Sequence, residues 1–289
     1  MVLSRKILLL CLLAFAIAAL FAACGDDDDD ASTPSATATE AGIDISDVPE
    51  LSDGKLTVGS DIAYAPNEFY VEGTQDATGM DVDLINALGE AMGVSVEFQQ
   101  VAEFSGIVGD LQAKRYDIVV SSISVTPERE AVIDLIPYFG PVGTGILTPA
   151  GNPNNFATLE DLCGFKVSAQ VGTYQVDQVT ALNEGACASN PITLTTFPDN
   201  PASVQELIVG RVDAQLADDP VAAYSEQLSE GEIEVAATGF EAATYGIGMR
   251  KDSPELKAAL EAALQQIIDD GTYDAILEKW NQTQFALES

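Results

Sequence analysis

The segment Asp117-Ile-Val-Val-Ser-Ser-Ile-Ser-Val-Thr-Pro-Glu-Arg129 gathers the residue types that hold a small organic acid. A short apolar run empties into the hydroxyls of Ser121, Ser122 and Ser124. Thr126-Pro127 then reads as an N-cap and first helical turn, since proline suits the first position. Arg129 follows, in a chain with 12 Lys plus Arg against 46 Asp plus Glu. Hydroxyls at a strand end, free N–H groups at a helix N-terminus and one guanidinium together make a carboxylate receptor. The same string also fits a plain strand-to-helix junction with a surface arginine, because strand ends commonly carry sites but need not.

Composition removes several kinds of chemistry. The formal net charge is −34, with no basic patch anywhere, which argues against nucleic acid as a partner. The chain has no histidine, so Ser-His-Asp and Cys-His mechanisms and histidine metal sites are excluded. No cofactor is implied. Cys11 falls in the leader described next, and Cys163 and Cys187 remain as an even pair in an exported domain. A disulfide between them is the default, worth roughly 3 kcal/mol in the chain-entropy model. Two free buried thiols are the alternative.

The N-terminus reads as an export signal. Arg5 and Lys6 precede an uninterrupted apolar run from Ile7 to Ala23. Leu20-Phe21-Ala22-Ala23-Cys24 resembles the lipobox of bacterial lipoproteins, in which the cysteine is diacylated and becomes the first residue; Phe21 stands where leucine is usual. Residues 1–23 are then the signal peptide and Cys24 the lipidation site. An uncleaved membrane anchor is the alternative, although the run is at the lower limit for spanning a bilayer. Residues 24–52 read as a tether: Asp26 to Asp30 repel one another, and the Ser/Thr/Ala stretch after them has almost nothing to bury.

The elements that must position the serines and Arg129 alternate in type. Strands are expected at 56–59, 94–98 and 117–120, with helices at 81–92 and 104–114 between them. After Pro149 the pattern restarts. Thr158 and Asp161 have capping-box spacing. Strands are expected at 166–171, 192–197, 213–217 and 233–237, and helices at 174–182, 202–209 and 221–228. A strand at 245–249, a helix to Asp270 and a last helix to Trp280 close the chain. Such alternation implies an α/β protein with mostly parallel sheets flanked by helices. Two runs in residues 53–289 suggest two lobes, with ligand in the cleft between them, outside the strand ends.

Several motifs agree with one family in order and spacing. They are Tyr64-Ala-Pro-Asn-Glu-Phe69, Gly79-Met-Asp-Val-Asp-Leu84, the Asp117–Arg129 string, Gln170-Val-Gly-Thr-Tyr-Gln175, Gly210 to Asp218, Tyr245 to Lys251 and Asp270 to Trp280. Over residues 53–283 the chain resembles the polar amino-acid-binding proteins of ABC importers, bacterial solute-binding protein family 3. The resemblance implies a periplasmic-binding-protein-like fold with lobe 1 at 53–140 and 243–289 and lobe 2 at 141–242. It implies that Arg129 grips the ligand α-carboxylate, that Thr173 contacts it from the opposite lobe, and that Asp218 pairs with the α-ammonium. Ser121, Ser122 and Ser124 would supply hydroxyl and carbonyl contacts, Tyr64 and Phe104 would line the side-chain pocket, and Gln170 completes the set. Each has a plainer reading: Phe104 as core, Asp218 as the N-cap of the helix after it, Tyr64 as a turn residue.

The function implied is that of an extracytoplasmic solute-binding lipoprotein. It would capture a free polar amino acid by lobe closure and deliver it to an ABC permease and its ATPase. The protein would act as a monomer, on the outer face of the cytoplasmic membrane, held there by its lipid alone. Two other classes are set against it. One is a cyclohexadienyl or arogenate dehydratase-like enzyme, with Glu103 or Asp218 as acid. The other is the ligand-binding partner of a sensor receptor. The ligand side chain is left open, with Asp61 either facing a cationic group or capping a turn.

Overall fold

A computed structural model describes residues 42–287. The expected signal peptide, Cys24 and most of the expected tether lie outside the described residues. Among the described residues no helix is long and apolar enough to cross a membrane. The chain begins β1 (Lys55–Ser60), β2 (Ala63–Tyr64), β3 (Glu68–Tyr70), β4 (Ala77–Thr78), α1 (Met80–Met92) and β5 (Ser95–Gln100). A 3-10 turn at Phe104–Gly106 leads into α2 (Ile107–Gln112), then β6 (Ile118–Val119), α3 (Pro127–Glu130) and β7 (Asp134–Pro149). The second run is β8 (Lys166–Gln170), α4 (Tyr174–Glu184), β9 (Thr193–Phe197), α5 (Asn200–Ile208), β10 (Ala214–Asp218), α6 (Asp219–Leu228) and β11 (Ile233–Met249). Helices α7 (Pro254–Asp269) and α8 (Thr272–Lys279) close the chain.

Eight strands form one sheet in the order β5-β1-β6-β11-β7-β10-β8-β9. Parallel pairing joins β1 to β5 and β6 in one lobe, and β8 to β9 and β10 in the other. Between them β7 and β11 run antiparallel to each other and cross from lobe to lobe. Leu56, Val58 and Ile118 pack under Leu84, Ile85 and Leu88 of α1 in the first core, while Val167, Leu216 and Val179 belong to the second. On β7 the core changes between Val142 and Ile146. The expected lobe boundaries, 140/141 and 242/243, fall inside these two crossing strands.

Three features differ from the sequence reading. The stretch 233–249, read as two strands, is one strand with bulges opposite β7, and the register shifts between Val235 and Gly246 absorb Gly239 and its neighbours. β7 itself was not expected as a strand, because Gly140, Pro141, Gly143 and Gly145 interrupt any alternating pattern. The tether ends before residue 52: Val48 and Leu51 are buried in the first core, and Glu50 accepts a charged hydrogen bond from Arg250 Nη2 at 3.1 Å. The sequence pair Cys163–Cys187 is a disulfide. Thr158 and Asp161 form their capping box, on a 3-10 turn at Leu159–Leu162.

Candidate functional site

Where β1, β6, β8 and β10 end, their C-terminal residues face a cleft between the lobes. Every substrate-binding residue named from the sequence lines one cavity there. From the first lobe come Tyr64, Phe104, Ser121, Ser122, Ser124 and Arg129; from the second come Gln170, Thr173 and Asp218. Asp61, Tyr174 and Gln175 line it as well.

Arg129 is placed by the short helix α3. Thr126 caps that helix by accepting from the Arg129 N–H at 3.3 Å, and Pro127 has no N–H to give. The start of α3 does not border the cavity: Thr126 and Pro127 line an outer cleft instead. The N–H groups that border the cavity belong to the first turn of α4, where Thr173, Tyr174 and Gln175 have no intrahelical partner. The Arg129 guanidinium donates to Ser124 O at 2.8 Å and across the cleft to Gly172 O at 3.2 Å. It lies 5.7 Å from the centroid of the Phe104 ring. Burial draws its pKa downward, opposed by Asp177, Asp218 and Glu128, and a guanidinium stays charged throughout. Phe104 lines the cavity and also packs with Val101 and Ile107 in a core cluster.

Asp218 ends β10 and stands directly before α6, yet its side chain makes no cap bond. It turns into the site. Tyr64 Oη donates to Asp218 Oδ2 at 3.0 Å, Tyr245 Oη to the same oxygen at 2.7 Å, and Gln175 Nε2 to Oδ1 at 2.7 Å. Burial raises the Asp218 pKa, while the bonds from Tyr245, Gln175 and Tyr64 hold it down. The N-cap reading of the Asp218 side chain thus gives way to this contact, while Tyr64 also opens a turn, its carbonyl accepting from Asn67 N–H at 3.0 Å. Gln175 and Tyr245 were not singled out from sequence. Both sit inside motifs that were, and Gln175 follows Thr173 by two positions at the same helix start.

At another wall Asp61 accepts from Gln100 Nε2 at 2.9 Å and from Gln170 Nε2 across the cleft. Burial raises its pKa and the two amides oppose it; Asp199 and Glu103 add to the rise. Glu103 is exposed, accepts from Ser105 Oγ at 3.0 Å and does not line the cavity. The cavity therefore holds a fixed cation, a fixed carboxylate with neutral donors on both oxygens, and a second carboxylate between two amides.

The chain matches the model of a family described as bacterial extracellular solute-binding proteins, family 3, over residues 56–283. It is similar to the L-cystine-binding protein TcyJ of Escherichia coli, with 28% identity over 78% of this chain and 82% of that protein. It is also similar to the arginine-binding protein ArgT of Corynebacterium glutamicum, at 32% identity over 78% of this chain and 74% of the other. Among solved structures, the ancestral amino acid-binding protein AncCDT-1, a precursor of cyclohexadienyl dehydratase, matches with a TM-score of 0.69. That match has 35% identity and covers 80% of this chain and 97% of that one.

Proposed function

Because the chain belongs to family 3 of the bacterial extracellular solute-binding proteins, we propose that its cleft captures one free polar amino acid and that an ABC permease receives it. The observation that carries this reading is the convergence of Arg129 and Asp218, one from each lobe, on the same cavity. An α-carboxylate would meet Arg129 and the free N–H groups of α4, and an α-ammonium would meet Asp218. Neither lobe alone satisfies both ends of the ligand, so ligand binding shifts the lobes toward closure.

Asp61 gives the side-chain end a chemistry. A cationic side chain would supply the counter-charge that the two neutral amides do not give the buried Asp61 carboxylate. Among the two named ligands of similar proteins, arginine fits this demand better than cystine.

The dehydratase reading is less well supported. It asks for a proton donor over the reacting bond. Glu103 does not line the cavity, and Asp218 accepts hydrogen bonds on both oxygens. The lipid anchor at Cys24, the monomeric state and the hand-off to permease and ATPase are parts of the same proposal.

Thermal unfolding of the purified protein against each of the twenty amino acids tests it. A ligand at 100 times its dissociation constant adds about 2.7 kcal/mol of stability. One or a few amino acids, arginine first among them, are expected to raise the midpoint. No shift with any amino acid contradicts the reading.

A further inference from the structure

Behind the serines of the pocket floor stand two acids that the binding mechanism does not use. Glu68 opens β3 and Asp81 lies in the first turn of α1, and both are 0% exposed. Gly79 brings the two segments together. Its φ is +135°, and a Cβ there would stand 2.0 Å from the Asn67 carbonyl oxygen, so the chain passes close enough for Asp81 N–H to donate to Asn67 O at 2.9 Å.

Both acids fasten Ser122, and Glu68 fastens Ser121 as well. Ser121 Oγ donates to Glu68 Oε1 at 2.7 Å, and Ser122 N–H donates to Asp81 Oδ2 at 2.8 Å. Ser122 Oγ lies 3.3 Å from Glu68 Oε2 and 3.4 Å from Asp81 Oδ2, and accepts from Asn67 Nδ2 at 2.8 Å. Tyr138 Oη donates to Asp81 Oδ1 at 2.6 Å. Ser122 has φ +48°, a left-handed conformation that needs its surroundings to hold it, and the Asp81 bond to its N–H supplies that hold.

Two buried carboxylates crowd one hydroxyl. A hydroxyl carries one proton, so Ser122 Oγ can serve only one of the two oxygens beside it. The Glu68 and Asp81 carboxyl groups flank that hydroxyl, at 3.3 and 3.4 Å from it. The ionisable groups that face them are Asp61 from the end of β1, Tyr64 from β2 and Tyr138 from β7, with Tyr273 of α8 behind Tyr138; none is a cation. Two ionised carboxylates cannot share such a place. We propose that Glu68 and Asp81 share one proton at neutral pH, donated by Glu68 to Asp81, and that the pair is the positioning unit for Ser121 and Ser122. Burial pushes both acids upward, Glu68 well above the usual range and Asp81 to about 6, which agrees with Glu68 as the holder. When that proton is lost at high pH, the acids repel, the serine floor shifts and ligand binding weakens.

The ligand arm of this inference rests on the proposed binding function; the proton does not. Infrared spectroscopy of the whole protein at neutral pH reads the proton directly. A protonated-carboxyl C=O band is expected that moves on carbon-13 labelling of glutamate and is absent in Glu68→Gln. A wild-type spectrum with no glutamate-sensitive band overturns the shared proton, and needs no variant to fold. For the ligand arm, calorimetric titration uses the amino acid selected by thermal unfolding. Wild-type affinity is expected to fall up to tenfold per pH unit above the pair's ionisation, while Glu68→Gln stays level. Equal pH profiles in both proteins overturn the positioning role. A protein that binds no amino acid at any pH sinks the binding function, and the infrared band still decides the proton.

Discussion

Tyr64 and Asp218, 154 positions apart, meet in a 3.0 Å hydrogen bond across the cleft, with the Tyr64 hydroxyl donating to Asp218 Oδ2. The contact joins β2 of one lobe to the end of β10 in the other, and it orients the carboxylate proposed for the ligand ammonium. Asp218→Asn keeps the shape and removes the charge. It is expected to weaken amino-acid binding by about 1.5–3 kcal/mol, roughly 10- to 150-fold. Tyr64→Phe leaves Asp218 with Tyr245 and Gln175 and should cost less. Calorimetric titration of both variants gives the ranking.

Gly172 sets how closely the lobes approach. Its φ is +77°, and a Cβ on it would stand 2.7 Å from Ser105 Cα in the opposite lobe. Gly172→Ala is expected to hold the closed cleft apart and lower ligand affinity about tenfold, while the left-handed backbone costs about 1–2 kcal/mol of stability. Affinity and urea unfolding measured together separate the two effects.

How much of this was legible in the sequence depends on the range of the contact. The serine–Arg129 string was legible because an apolar strand run, a cap and a lone guanidinium are local signals. So were α1, closed by Gly93, and the capping box at Thr158. The Tyr64–Asp218 contact was not derivable from spacing; only the family resemblance placed both residues at one ligand. β7 was missed because its glycines and proline sit at a lobe crossing, where bulged pairing with β11 overrides local preference. The α3 terminus was misassigned as a donor because a four-residue helix with Thr126 on the Arg129 N–H has little left to offer. The Glu68–Asp81 pair gave no signal, since Glu68 in a three-residue strand reads as a surface residue until Gly79 folds α1 against it.

The Cys163–Cys187 bridge closes a sequence separation of 24 residues in the second lobe. Removing it by paired Cys→Ser substitution is expected to cost about 3 kcal/mol. Cys187 is 1% exposed and packs with Leu162 and Val179, so part of the loss is local to that core. Thermal unfolding of the double variant, with ligand affinity retained, checks this.

Acidity acts on binding and on folding in opposite directions. Burial raises the Asp218 pKa in the empty protein. A ligand ammonium prefers the carboxylate, so below that raised value binding must displace a proton and affinity falls, by up to about tenfold per pH unit. Folding follows the other sign. Asp61, Glu68, Asp81 and Asp218 all have raised folded values, so above the unfolded carboxyl range near pH 4 the folded state retains protons that the unfolded state releases. Stability of the ligand-free protein is therefore expected to decline as pH rises from about 4 through those raised values. Urea unfolding and titration across pH 4.5–8 would resolve the two trends.

Arg129 carries the central claim, because it is the fixed cation of the cavity. Calorimetric titration of wild type and Arg129→Ala with the amino acid that most raises the unfolding midpoint tests it most directly. The expected result is saturable binding to wild type and loss of at least about 1.5–3 kcal/mol, tenfold or more, in a variant that still unfolds cooperatively. Equal affinity in the two proteins would remove Arg129 from the site and contradict the account.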